Sequence, residues 1–276
     1  MHSRGNDGSP AVRNPPIAGR VVGSSATIQA CEGSTLSGQE LAAALAILAG
    51  ASLVQALAGF GFALLAMPLL SVVIGPTPAL ATVSLVSIVN SGATALTARH
   101  EADRRSVKRQ SIAAFFGMPL GLVVLESVPE RGMQALIAVS VALAATALAL
   151  HFRLPHVGAR TEAVAGFTSG ALATSTGTSG PPIVICLQSR ALPAATVRAT
   201  LASQFLATGW VSVVLLALRG HIDRDDVELA VLAIPVLLVS WQVGAHSFRR
   251  ISQDRYDAIV VALLLGAATV AMFQAW

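Results

Sequence analysis

The sequence predicts an all-α polytopic membrane protein with two repeated halves, each headed by a transmembrane element that glycine and proline interrupt. Hydrophobic residues make up 54% of the 276 residues and charged residues only 12%, whereas soluble domains carry about 25% charged residues. No charged residue occurs from Leu41 to Ala98 or from Ala163 to Ser189, and uncharged apolar runs of this length are typical of bilayers. Within the second run, residues 174–182 combine glycines, adjacent prolines and hydroxyls that a regular helix does not accommodate.

The chain divides into four predicted segments. Residues 1–38 are rich in Gly, Ser, Pro and Arg and contain no apolar run, so we expect a disordered tail rather than a cleaved signal peptide. Residues 39–151 form the first transmembrane repeat. Residues 152–162 form a central linker, and residues 163–276 form the second repeat.

The first repeat opens with an apolar stretch from Glu40 to Ile74 that is too long for one membrane helix. As a single helix it would measure about 52 Å, against a hydrocarbon core of about 30 Å. Gly59-Phe60-Gly61 is the predicted break, because glycine adopts the backbone conformations that end helices. A basic loop, Arg99–Arg109, separates two of the later spans. These spans are predicted over residues 79–98, 111–125 and 132–150.

The second repeat opens with the interrupted element Ala163–Ser189. Pro181 and Pro182 lack amide hydrogens and their rings clash with the preceding turn, so Pro182 is the predicted start of a new helix. An unpaired backbone group in lipid costs several kcal/mol, so this break is expected inside protein or beside a watery cavity. The later spans are predicted over residues 199–218, 229–245 and 258–276.

Landmark residues recur in the same order in the two halves. Pro78-Ala79 matches Pro193-Ala194, and the segment 99–104 matches 219–224 in the spacing of its Arg and Asp residues. Each match precedes a proline-containing span. Duplicated halves that each carry an interrupted helix are typical of transporters whose site lies between the halves.

The charge pattern favours halves of opposite orientation. If each interrupted element returns to its own side as a re-entrant hairpin, twelve of the 18 Lys and Arg residues share one side. This side would be cytoplasmic by the positive-inside rule. If each interrupted element crosses the membrane fully, the two halves have the same orientation and the basic loops lie on both sides of the membrane. In the inverted arrangement the tail would lie outside the cell with Arg4, Arg13 and Arg20. These basic residues count against the inverted arrangement, so the parallel alternative stays open.

The two breaks resemble those of the TauE/SafE family of sulfite exporters. The resemblance rests on Gly59-Phe60-Gly61, Pro68 and the segment 177–182, Gly-Thr-Ser-Gly-Pro-Pro, each followed by a span dotted with polar residues. It covers roughly residues 40–275, although the first break has fewer glycines than is usual. The resemblance implies a bacterial inner-membrane transporter of a small anion such as sulfite or a sulfonate, by analogy.

The predicted substrate site comprises the two breaks and polar positions on the spans that follow them. Hydroxyls and freed amides there could donate hydrogen bonds to an oxyanion, and helix N-termini attract anions. Alternatively, the hydroxyls satisfy broken backbone or allow close helix packing. The candidate residues are Gly59, Gly61, Ser87, Asn90, Thr174, Thr176, Gly177, Thr178, Ser179, Gly180, Pro181, Ser203 and Gln204.

Two charged residues at span ends have alternative roles. Arg198 could attract an anion or anchor its span at the headgroups, and the sequence favours the anchor. Glu126 is the carboxylate nearest to membrane depth, and its favoured role is an interfacial cap or an ion pair with Arg131.

The residues favour a secondary transporter of a small oxyanion, and the resemblance implies that it acts in the bacterial inner membrane. No P-loop supports ATP-driven transport, and no metal or cofactor motif occurs. The absence of carboxylates inside the spans disfavours a cation carrier. The expected partners are the anion and the lipid bilayer, without nucleic acid, and the oligomeric state is open. An accessory membrane subunit, or an enzyme without transport activity, is the alternative.

We predict that Arg99–Arg109 and residues 247–255 both face the cytoplasm because of their shared basic excess. Glu101→Cys and Gln253→Cys, each in a Cys31→Ser background, should resist an impermeant thiol reagent in intact cells and react after lysis. Labelling of one position but not the other in intact cells would rule out the inverted arrangement.

Overall fold

The computed structural model describes residues 37–150, 152–190 and 192–247, and these contain helices and no strand. The predicted last span and the predicted tail up to residue 36 lie outside the described residues. The helices are α1 (Gly38–Ala58), α2 (Phe62–Ile74), α3 (Pro76–Ala98), α4 (Arg104–Ser127), α5 (Glu130–Ala149), α6 (Ala159–Ser175), α7 (Gly180–Gln188), α8 (Ala194–Leu218) and α9 (Arg224–Ser247).

Five helices in the described part, namely α1, α3, α4, α8 and α9, contain a stretch long and apolar enough to cross a membrane. The prediction of a multi-pass helical membrane protein is therefore confirmed. The two helices that follow the breaks are shorter, with 13 residues in α2 and nine in α7. They measure about 20 Å and 14 Å, less than the roughly 30 Å of a hydrocarbon core.

The first break falls where the sequence predicts it. Helix α1 starts from a capping box between Ser37 and Glu40 and ends at Gly59, which has a φ of 80°. Helix α2 starts from Gly61, which has a φ of 101°. Both angles lie in the left-handed region, where a side chain adds strain that glycine avoids.

The second break is set by Gly177 rather than by the two prolines. Helix α6 ends at Ser175, Gly177 has a φ of 70°, and α7 starts at Gly180, two residues before the predicted start at Pro182. Pro181 and Pro182 occupy the first turn of α7, where a missing amide removes no intrahelical hydrogen bond. The prolines therefore start a helix here instead of ending one.

Helix α7 runs back alongside α6. Ser169 in α6 donates a 2.7 Å hydrogen bond to the carbonyl of Ser179, which immediately precedes α7. Arg190, two residues after the end of α7, bonds at 2.8 Å to Glu162 in the first turn of α6. The beginning and the end of this interrupted element thus lie side by side.

Helices from the two predicted halves pack against each other in pairs: α4 along α6, α9 along α1, and α3 across α8. The α4–α6 contact is very close, since a Cβ at Gly170 would lie 2.1 Å from the carbonyl oxygen of Ala114. A Cβ at Gly244 in α9 would lie 2.6 Å from the Cβ of Ala56 in α1. Small residues at both contacts let the backbones approach, as is common between membrane helices.

Protein surrounds α2 on most sides. Eight of its 13 residues are buried, and they form a core with side chains of α3 and α5 such as Leu80 and Ile137. Enclosure of this kind is what an interrupted helix at membrane depth requires, because its free backbone groups must not face lipid.

We predict that Gly170→Ala destabilises the protein, because the new Cβ would meet the Ala114 carbonyl at 2.1 Å. Overpacking of this kind typically costs about 1–3 kcal/mol. Thermal unfolding in detergent should show a lower Tm. Gly50→Ala is the matched control, since a Cβ there meets nothing within 4 Å, and its helix propensity should leave stability unchanged or slightly higher. Equal Tm values for the two variants would contradict the packing argument.

Candidate functional site

A cavity of about 50 Å³ lies where the two breaks meet the middles of α3 and α8. A water molecule needs about 10–15 Å³ on this scale, so the cavity has room for a few waters or a small anion. It is lined by Gln55, Gly61, Phe62, Ala63, Leu64, Val83, Ser84, Ser87, Ser91, Ala173, Gly177, Ser179, Gly180, Phe205, Thr208, Gly209 and Ser212.

The cavity brings together five of the predicted site residues. They come from both halves and from three different elements, the first break, α3 and the second break. They are Gly61, Ser87, Gly177, Ser179 and Gly180.

Other predicted residues lie outside the cavity wall and bond to neighbouring groups. Asn90 accepts a 3.1 Å hydrogen bond from Ser52 of α1, and Gln204 accepts one of 2.7 Å from Ser111 of α4. The Ser203 hydroxyl donates to a carbonyl of its own helix at 2.8 Å. These contacts match the alternative of helix–helix and backbone bonding that the sequence left open.

The remaining predicted residues support the breaks. Thr174 donates at 2.7 Å to a carbonyl of α4, and Thr176 and Thr178 join their hydroxyls at 2.7 Å. Pro181 lies in the first turn of α7. Gly59 packs against Arg198, since a Cβ at Gly59 would lie 2.7 Å from the Cγ of Arg198.

The sequence analysis missed several polar residues of the cavity wall. Ser84 and Ser91 flank Ser87 at helical spacing along one side of α3, and this three-serine pattern was a usable signal. Gln55 of α1 donates a 3.3 Å hydrogen bond to Ser91. Ser212 is 3% exposed, and its hydroxyl has no hydrogen-bond partner among the described residues. A ligand in the cavity could therefore accept a bond from it.

Two helices begin at the cavity. The wall includes Gly61 and the first three residues of α2, as well as Ser179 and Gly180 at the start of α7. Neither helix start has a side-chain cap, so their first amides are available to a ligand and carry partial positive charge. Pro181 and Pro182 lack amides, so α2 offers more donors than α7.

The model of the sulfite exporter TauE/SafE family matches residues 42–272 of this chain. The chain belongs to the TauE/SafE family. A relative from Cupriavidus necator, described as a probable sulfite/organosulfonate exporter TauE, is 24% identical over 237 residues, which cover 83% of this chain and 93% of the relative. No solved structure matches. The resemblance drawn from the two breaks is thus confirmed, and the protein is a membrane transporter rather than an enzyme.

The residues that line the cavity of this TauE/SafE protein include no charged side chain. One charged cluster lies where α4 begins: Arg190 bonds to Asp103 at 2.9 Å and to Glu162 at 2.8 Å. Burial would raise the pKa of the Asp103 carboxyl, but hydrogen bonds from Ser106 and Arg190 outweigh it and lower the pKa below its ordinary value. The Asp103 carboxyl therefore stays ionised at neutral pH. The cluster joins the starts of α4 and α6 to the end of α7.

A second charged cluster lies at the other end of α4. Glu126 bonds to Arg219 at 2.6 Å and lies 3.6 Å from His221. The favoured partner from the sequence was Arg131, and the structure instead pairs Glu126 with a residue that follows α8. Like the first cluster, this one joins the two predicted halves.

We predict that Gly180→Leu abolishes transport while the protein still inserts and folds. A Cβ at Gly180 would lie 3.7 Å from the Phe205 ring, which is an ordinary contact, but a leucine would extend further into a cavity of about 50 Å³. Gly180→Ala is the matched control and should keep transport. Flux in proteoliposomes, with size-exclusion profiles as the folding check, measures both. Undiminished flux in the leucine variant would remove this break from the substrate site.

Proposed function

We propose that this protein is a secondary transporter that carries a small oxyanion across the bacterial inner membrane through the central cavity. The observation that supports this most is the convergence of the starts of α2 and α7 on one polar, uncharged cavity. Sulfite and small sulfonates are the leading substrates, because the Cupriavidus necator relative is described as a probable sulfite/organosulfonate exporter.

The chemistry of the cavity wall suits an anion better than a cation. Uncapped amides at the start of α2 can donate to oxygen atoms, as can the hydroxyl of Ser212, which has no partner among the described residues. The hydroxyls of Ser87 and Thr208 already donate to carbonyls of their own helices. The lining residues include no carboxylate, so a cation would find no counter-charge and an anion would meet no repulsion. The volume of about 50 Å³ suits a substrate of a few non-hydrogen atoms.

The proposed architecture consists of two inverted repeats with re-entrant breaks. The packing pairs support a repeat in which α1 corresponds to α6, α3 to α8 and α4 to α9. The α4–α6 pair is then equivalent to the α9–α1 pair, and the α3–α8 pair joins two equivalent helices. The return of α7 along α6 and the short lengths of α2 and α7 support re-entry. In this arrangement each interrupted element enters the membrane from one side, turns near the midplane and returns to the same side.

The two charged clusters fit the ends of an alternating-access path. Asp103 and Glu126 lie at opposite ends of α4, about 35 Å apart along the helix. Each cluster bonds α4 of the first half to residues of the second half. Rocking of one half against the other would open one cluster while the other stays closed, so the cavity would face one side at a time.

A counterflow assay in proteoliposomes tests this function. The assay compares sulfite, methanesulfonate, acetate and a methylammonium cation of similar size. We expect exchange of sulfite or methanesulfonate to exceed that of acetate, and the amine to be excluded. The Gly180→Leu variant is the control for leakage around the protein. Preferential transport of the amine would contradict the proposal.

A further inference from the structure

We infer that Phe205 is a specificity-determining residue of the central cavity, because its ring limits the length of the group that an oxyanion substrate carries beside its charged oxygens. The inference rests on the proposed function, since it concerns the same cavity and the same class of substrate. It adds a limit to that class: sulfite and the shortest sulfonates fit, whereas longer alkanesulfonates meet the ring.

The side chain of Phe205 spans the cavity wall between α8 and α7. It belongs to the lining of the cavity, and its Cζ atom lies 3.7 Å from the position of a Cβ at Gly180, the first residue of α7. Because Cζ is the tip of the ring, the full length of the side chain extends from α8 toward α7. The ring therefore occupies space that a smaller side chain would leave to the cavity.

The wall behind the tip of the ring is held in place. The carbonyl of Ser179, immediately before α7, accepts a 2.7 Å hydrogen bond from Ser169 of α6. Pro181 and Pro182 fix the backbone of the first turn of α7. Phe205 itself is partly buried and packs against the hydrophobic core. A substrate therefore cannot push the ring aside toward α7, and the size of the ring sets the room that is left.

A hydrogen-bond donor lies at the opposite end of the same wall. Ser212 follows Phe205 by seven residues on α8, which places it about 10 Å further along the helix and within about 20° of the same face. Both residues line the cavity. The Ser212 hydroxyl is buried and has no partner among the described residues. An oxyanion that accepts a bond from Ser212 thus has the ring of Phe205 at the far end of the wall, and the distance between them limits its substituent.

Large and small residues change places between the two predicted halves. The glycines of the two breaks, Gly59 and Gly177, are 118 positions apart. Two pairs of cavity-lining residues have the same separation: Phe62 with Gly180, and Ser87 with Phe205. Each half therefore contributes one ring, from α2 in the first half and from α8 in the second. The ring on α2 is 2% exposed and belongs to the core, so the partly buried ring on α8 is the one that can be replaced with less loss of packing.

The volume of the cavity makes each added methylene significant. About 50 Å³ holds only a few waters, since one water needs about 10–15 Å³ on this scale. An apolar pocket without room for one more methylene discriminates against it by about ten-fold or more. A single ring at the end of the wall is therefore enough to separate short alkanesulfonates from longer ones.

Phe205→Ala and Phe205→Leu test this limit. Counterflow in proteoliposomes compares sulfite with methane-, ethane-, propane- and butanesulfonate, and each rate is divided by the rate of the anion that the wild-type protein exchanges fastest. We expect the wild-type rates to fall as the alkyl chain lengthens. Phe205→Ala should raise the relative rate of the first excluded sulfonate about ten-fold or more, as room for one methylene predicts. Phe205→Leu should raise it less.

Phe167→Ala is the matched control. It removes the same ring from α6, where the side chain is 38% exposed and is not among the described residues that line the cavity, so the relative rates should equal those of wild type. Phe205→Leu keeps more of the packing and carries the test alone if the alanine variant does not fold, as judged by size-exclusion profiles. Unchanged relative rates in the folded Phe205 variants, an equal gain in Phe167→Ala, or wild-type rates that do not fall with chain length would overturn the inference and leave the proposed function intact. Absence of oxyanion exchange in wild type would overturn both.

Discussion

The cost of an unpaired backbone group in lipid governs the arrangement of this protein. Each of the two breaks frees amides and carbonyls that water cannot reach inside a bilayer. The structure surrounds them with protein: α2 is buried along most of its length, and Ser169 binds the carbonyl of Ser179 beside the second break. The uncapped starts of α2 and α7 lie at the cavity, where a ligand or water can bind their first amides. The enclosure of the breaks and the binding chemistry therefore have one physical cause.

The sequence predicted those features of the fold that depend on local chemistry. Uncharged apolar runs predicted the spans, and the conformational freedom of glycine predicted the break at Gly59 and Gly61. The second break lies within the predicted segment 174–182, but α7 begins at Gly180, two residues before the predicted start at Pro182, because both prolines occupy its first turn. Glu126 was assigned to a sequence neighbour, whereas its partner Arg219 comes from a different helix end.

The residues of the cavity wall were predicted in part, because the cavity depends on how distant helices meet. The glycines and serines of the breaks line it, but Asn90 and Gln204 bond to residues 38 and 93 positions away. The spacing of residues along the sequence does not predict hydrogen bonds between positions so far apart. The serines of α3 could have been found from their periodicity, whereas Gln55 could not, because its hydrogen bond to Ser91 joins residues 36 positions apart in the sequence.

The close glycine contacts have a mechanical consequence. Carbonyl oxygens of α4 and α6 abut glycines of the partner helix, so neither helix can slide or roll against the other without collision. The contact of α3 with α8 differs, because added Cβ atoms at Gly92 and Gly209 would lie 3.7 Å from Leu206 Cδ1 and 3.3 Å from Ile88 Cγ1, which are side-chain atoms. Side-chain tips rotate cheaply, whereas backbone does not. The α4–α6 contact is therefore rigid, whereas the α3–α8 contact can adjust. The cavity lies at the α3–α8 contact.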